Sequence, residues 1–172
     1  YIYKLGGSNL IVGLLLSIGG LSRFVSPPLI ASYVEADPLL KKKSIFIGSL
    51  MRSQVLLIAI AGFFFPARLN LLSFFVFFAL FNCFMGMQNV VYNTVMAKVI
   101  PVARRGRFIG LRQFLGGVTA SFVALAAGSL VQYLSFPHGY ASTYLLAFVL
   151  TFLGLVFFGM SREPATPLVP QR

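Results

Sequence analysis

Acidic residues are almost absent from this sequence. Glu35, Asp37 and Glu163 are its three carboxylates, against 14 Lys and Arg residues and one His. The lone cysteine, Cys83, excludes an internal disulfide framework and a cysteine metal cluster. One His and three carboxylates, none of them inside a long apolar segment, form no recognisable acid–base pair or metal constellation. We therefore predict no enzyme activity, no cofactor and no metal site.

Charge of either sign is scarce. Charged residues make up 10% of the chain and hydrophobic residues 58%, whereas soluble domains carry about 25% charged residues. The net charge of +11 does not predict binding to nucleic acid, because the basic residues lie at the ends of apolar runs with no polar face between them. We expect anionic lipid headgroups beside these cations, and no nucleic-acid partner.

Five apolar runs are long enough to cross a lipid bilayer, which takes about 20 helical residues. None of them shows the sustained period-two alternation of membrane β-strands. The sequence therefore predicts an all-α, polytopic membrane bundle with the lipid bilayer as its surroundings. The five runs are Asn9–Tyr33, Ser44–Phe65, Leu71–Ile100, Phe108–Phe136 and Ser142–Met160.

Basic residues are concentrated in every second gap between these runs. The intervening gaps hold only Arg68 or His138. Because short loops rich in Lys and Arg stay in the cytoplasm, we predict an integral protein of the plasma (inner) membrane, with the Tyr1 end outside and the Arg172 end in the cytoplasm. An external start before five spans also predicts a further helix before Tyr1. The basic residues of the enriched segments are Lys41, Lys42, Lys43, Lys98, Arg104, Arg105, Arg107, Arg112, Arg162 and Arg172.

Two junctions and a tail carry a family resemblance. The residues from Ile100 to Arg107 read IPVARRGR and are followed by Gly110 and Arg112. Arg162-Glu163-Pro164 directly follows the last run. In the first loop, Asp37 precedes Lys41 and Lys42 at the family's acid-to-base spacing, although Tyr33 and Leu40 replace the two signature glycines. Together with the rhythm of helix lengths and loop charges, these segments resemble the amino-terminal half of a major facilitator superfamily transporter without its first helix.

The resemblance implies an organisation and a function. Residues 1–160 would supply helices two to six of a six-helix half, and residues 161–172 would begin a cytoplasmic linker. Two such halves rock around a site near the membrane midplane. We therefore expect transport of a small solute by alternating access, as part of a longer permease, with the first helix and the carboxy-terminal half as partners. The alternatives are a non-transporting membrane scaffold or assembly subunit and, less favoured, a membrane-embedded enzyme.

The third run carries a polar stripe. Asn82, Gly86, Asn89 and Asn93 follow one another at steps of four, three and four, which places them on one helical face. Amides both donate and accept hydrogen bonds, as the hydroxyls of a polyol or sugar require. The alternative is hydrogen bonding between helices, worth about 0.6 kcal/mol each. The resemblance favours a cavity, because the family's fourth helix contributes to the central site.

Two further residues complete the candidate substrate cavity, namely Arg23 in the first run and Gln113 in the fourth. Arg23 either attracts an anionic substrate or bonds to neighbouring carbonyl groups, since an arginine at bilayer depth needs a polar partner. The resemblance also implies a cytoplasmic gate, in which Asp37 pairs with Arg107 or Arg112. The alternative there is a solvent-screened surface pair worth at most about 1 kcal/mol.

Small residues form a second stripe, on the fourth run. They recur at every fourth position, the spacing that lets two membrane helices approach closely. We predict that this stripe is a packing surface, and it is a candidate sliding surface between the two halves. Its members are Gly116, Ala120, Ala124 and Gly128.

Overall fold

The computed structural model describes residues 1–35 and 40–160, except for the side chains of residues 32–35 and 98. A 3₁₀ turn at Ile2–Leu5 precedes five α-helices, and these described ranges contain no strand. Each of the five helices is long and apolar enough to span a membrane, which confirms the predicted all-helical membrane fold. The helices are α1 (Asn9–Glu35), α2 (Lys41–Phe64), α3 (Ala67–Val99), α4 (Val102–Tyr133) and α5 (His138–Met160). The predicted linker, 161–172, lies outside the described residues.

α1 begins at Asn9 as predicted, whereas the other four helices begin earlier than the apolar runs predict. α2 starts at Lys41 rather than Ser44, and α4 at Val102 rather than Phe108. These extensions carry Lys and Arg, whose long side chains let a helix continue beyond the hydrocarbon core while the charge stays in water. Pro66 and Pro101 stand directly before α3 and α4, where a missing N–H and a fixed φ angle suit a helix start. Short connections make α2 antiparallel to α3 and α4 antiparallel to α5, and both pairs pack together.

α3 lies at the centre of the packing. It contacts α1 on one side and α2 on the other, and α2 in turn packs on α5. α4 packs on α5 and contains no buried residue. A methyl group added at Gly116 or Gly128 would meet no atom within 4 Å. The small-residue stripe of α4 therefore has no close partner among the described residues, and its packing role stays a prediction.

The antiparallel helices give the bundle two distinct ends. At the basic end, the starts of α2 and α4 meet the C-terminal ends of α3 and α5. At the aromatic end, the Tyr1 ring contacts the rings of Tyr140 and Tyr144 at centroid distances of 5.1 and 6.0 Å. The Tyr1 hydroxyl donates a hydrogen bond to Asn70 Oδ1 at 2.8 Å. Burial raises the pKa of this hydroxyl above its ordinary value, and the bond to Asn70 opposes that rise.

Candidate functional site

Arg23 and Asn82 form a hydrogen-bonded pair between α1 and α3. Arg23 Nη2 donates to Asn82 Oδ1 at 2.8 Å, and Asn82 Nδ2 donates to the Phe78 carbonyl oxygen at 2.8 Å. The Asn82 side chain is only 1% exposed. Both residues lie near the middle of their candidate membrane spans, Asn9–Ala31 and Ala67–Ala97. The structure thus brings two of the five predicted cavity residues together within two candidate membrane spans.

Glycines bring the two helices close enough for this pair to form. At Gly86, an added Cβ would lie 2.7 Å from the Arg23 carbonyl oxygen and would also collide with Ser26 Oγ. At Gly19, it would lie 3.1 Å from Asn82 Nδ2. Gly86 was predicted as a member of the polar stripe, and its function in the fold is close helix approach. Without a side chain there, α1 can present Arg23 directly to Asn82.

The other three predicted cavity residues lie apart from this pair. Asn89 and Asn93, further along α3 towards the basic end, are both exposed. Asn93 lines a small cavity of about 150 Å³ together with Arg105 and Arg112. Gln113 is exposed on α4. Their part in a substrate site stays a prediction.

Arg23 and Arg52 differ in how their guanidinium groups are occupied. Arg52 Nε donates to the Thr151 carbonyl oxygen at 2.6 Å, and its Nη1 donates to the Gly48 carbonyl oxygen at 2.8 Å. The bond to Thr151 ties α2 to α5, whereas the bond to Gly48 lies within α2. Arg23, by contrast, is exposed, and its bond to Asn82 is the one hydrogen bond of its guanidinium to the described residues. A guanidinium has five N–H donors, so most of those on Arg23 remain available to a ligand.

A polar contact between α2 and α3 does not follow from the sequence pattern. Gln88 Nε2 donates to Ser44 Oγ at 2.9 Å, and Ser44 is fully buried. The buried Gln88 Oε1 has no hydrogen-bond partner among the described residues. Gln88 flanks the polar stripe but points to α2, the side opposite the Arg23 contact. No spacing in the sequence signals this, because Ser44 and Gln88 belong to different helices.

The arginines of the basic end make different contacts. Arg105 Nε and Nη2 donate to the carbonyl oxygens of Ile100 and Ala97, at 2.9 and 2.6 Å. Arg105 thus binds the otherwise unpaired carbonyl groups at the C-terminal end of α3. A basic residue shortly after a helix end is a recognised signal for such a cap, yet the sequence does not distinguish Arg105 from its neighbours.

The predicted gate residues are only partly described. The Arg112 guanidinium lies over the Tyr92 ring, 4.6 Å from its centroid. Arg107 is exposed and lines a larger groove of about 860 Å³. Asp37, their predicted partner, lies outside the described residues. Among the residues that are described, no group of three or more His, Cys, Asp and Glu side chains is placed to hold a metal ion.

Comparison with known proteins gives one match. A family model described as Major Facilitator Superfamily matches residues 1–172. Neither the curated proteins nor the solved structures yield a match.

Proposed function

The chain belongs to the major facilitator superfamily, a family of membrane transporters, and we propose that it moves a small solute by alternating access as part of a longer permease. In secondary transporters, the substrate site lies near the bilayer midplane between two helical bundles. One observation carries the proposal: Arg23 and Asn82 are hydrogen-bonded near the middle of two membrane spans. We further propose the plasma membrane as its location, with the basic end in the cytoplasm.

The proposed substrate site extends from this pair along α3. Asn82 holds one N–H of Arg23, and the remaining donors of the guanidinium bind a carboxylate, phosphate or hydroxyl oxygen of the solute. Asn89 lies seven residues beyond Asn82, two helical turns along the same face. Its exposed amide offers both a donor and an acceptor. Asn93 and Gln113 contribute further amides as the site opens towards the basic end.

Closure of the basic end is the second part of the proposal. Arg107 and Arg112 lie on α4, at the end of the bundle that Asp37 adjoins in the chain. A clamp between these charges holds one conformation, and its breakage shifts the population towards the other. We propose that Asp37→Asn favours the inward-open state. Unchanged labelling of cysteines introduced at the basic end would contradict this.

Uptake by cells that express the gene tests the proposed transport. The panel contains sugars, nucleosides, carboxylates and common toxic compounds, each with and without an uncoupler of the proton gradient. We expect one class to be transported, with uptake lost in Arg23→Gln and in the double variant Asn89→Ala, Asn93→Ala. Gln132→Ala, which removes an exposed amide near the aromatic end, is the matched control.

The outcomes separate transport from the alternatives. Absence of movement for every compound by a correctly inserted wild-type protein would favour a scaffold or assembly subunit. Transport that persists in both site variants would show that the α3 amides and Arg23 are structural. Sensitivity to the uncoupler would identify protons as the driving ion.

A further inference from the structure

The groove at the basic end combines an apolar floor with a cationic rim. It encloses about 860 Å³ between the end of α3 and the start of α4, and α2 and α5 also contribute to it. We propose that this groove, which we call the basic groove, binds one anionic phospholipid, with an acyl chain on the floor and the phosphate at the rim. The rim contains Lys41, Arg104 and Arg107, and the floor contains Met96, Val99 and Phe108.

Two arginines of the rim, Arg104 and Arg107, offer exposed positive charge. Arg104 and Arg107 are three residues apart on α4, so they lie on the same face one turn from each other. Both are exposed, and neither guanidinium has a hydrogen bond or ion pair with the described residues. Arg105 between them is instead occupied with the carbonyl groups of α3. Two such guanidinium groups provide charge-assisted hydrogen bonds to phosphate oxygens.

The floor identifies a lipid rather than a free anion. Val99 and Phe108 are 44% and 40% exposed directly beside the cations. A phosphate ion alone would leave this hydrocarbon surface uncovered, whereas an acyl chain covers it and removes it from water. The rim lies where α3 ends and α4 begins, at adjoining ends of two candidate membrane spans. Basic pockets between membrane helices at such ends suit anionic headgroups.

Native mass spectrometry of the purified protein in detergent tests this assignment without any transport assay. The protein is equilibrated with equal amounts of phosphatidylglycerol and phosphatidylcholine that carry identical acyl chains. We expect at least tenfold preference for phosphatidylglycerol. Each basic residue near an anionic headgroup contributes roughly a fivefold factor, so the double variant Arg104→Gln, Arg107→Gln should bind it roughly 30-fold more weakly.

Two further variants distinguish the groove from general surface charge. Arg68→Gln removes the same charge at the aromatic end, and we expect its phosphatidylglycerol binding to stay within twofold of wild type. Val99→Trp fills the floor without changing charge and should weaken binding several-fold. Helix content measured by circular dichroism verifies folding. If the double variant unfolds, phosphatidylglycerol binding by the two single variants and the lipid preference of the wild type test the proposal instead.

Three results would overturn the proposal. Equal binding of the two lipids by the wild type would show that the rim does not select an anionic headgroup. If Arg68→Gln lost as much phosphatidylglycerol binding as the double variant, the binding would depend on overall charge and not on the basic groove. Displacement of phosphatidylglycerol by an equal concentration of inorganic phosphate, or unchanged binding in Val99→Trp, would show that the apolar floor holds no acyl chain.

Discussion

The contact between α1 and α3 at Gly86 predicts that this position tolerates no side chain. In Gly86→Ala the new methyl carbon would lie 2.7 Å from the Arg23 carbonyl oxygen, well inside the 3.4 Å at which ordinary van der Waals contact begins. The obstacle is backbone, so α1 itself must move. Overpacking of this kind costs up to about 3 kcal/mol, and the better helix propensity of alanine returns roughly 1 kcal/mol.

The expected net loss in the free energy of unfolding is therefore about 2 kcal/mol. For a chain of this size that corresponds to a fall of roughly 4–8 °C in the unfolding midpoint. Because the protein contains no tryptophan, circular dichroism at 222 nm follows unfolding in detergent. A thiol-reactive dye on Cys83, the lone cysteine, provides a second signal.

Two glycines of α1, Gly19 and Gly20, give a graded control series for Gly86 of α3. At Gly20 an added methyl group meets no atom within 4 Å, so Gly20→Ala should leave the midpoint unchanged or raise it slightly. At Gly19 the methyl group would lie 2.8 Å from a Phe78 ring carbon. A ring can turn aside, and we expect an intermediate loss. If Gly86→Ala unfolds at the same temperature as Gly20→Ala, α1 and α3 do not approach each other as described.

Three further predictions concern the other arginines. Arg105→Gln should cost about 1–2 kcal/mol and speed amide hydrogen exchange in the last turn of α3, because two charge-assisted hydrogen bonds are lost; equal exchange in Arg105→Gln and Arg104→Gln would refute the cap. A double-mutant cycle with Arg112→Gln and Tyr92→Leu should give a coupling of about 0.5–2 kcal/mol in unfolding, and additive effects would mean no stacking. Arg52→Met keeps the aliphatic length and should destabilise the bundle by about 2 kcal/mol; an unchanged unfolding midpoint would show that Arg52 does not join α2 to α5.

The sequence predicts the five helices well because membrane thickness imposes a simple rule. A span needs a fixed length of apolar residues, and proline residues such as Pro66 and Pro101 mark where helices restart. The exact helix starts are less predictable. α2 and α4 extend beyond their apolar runs to Lys41 and Val102. The apolar pattern of the sequence does not mark where these polar extensions of the helices begin.

The site is only partly predictable, because it depends on which helices become neighbours. The helical period places Asn82, Gly86 and Asn89 on one face, but it does not reveal that Arg23 meets Asn82 across Gly86. Gln88 is adjacent in sequence and contacts a different helix. Likewise, nothing in the sequence distinguishes Arg104 from Arg105. In the fold, Arg104 lines the groove, whereas Arg105 binds the carbonyl groups at the end of α3.

The most direct test of alternating access is the labelling of a cysteine in the proposed site from each side of the membrane. Asn89→Cys in a Cys83→Ser background leaves one thiol, which a membrane-impermeant reagent reaches only through water. We predict that the thiol reacts from both faces in oriented vesicles, and that a transported solute slows both reactions. Reaction from neither face, or from a single face whatever solute is present, would contradict transport through a site beside Asn82.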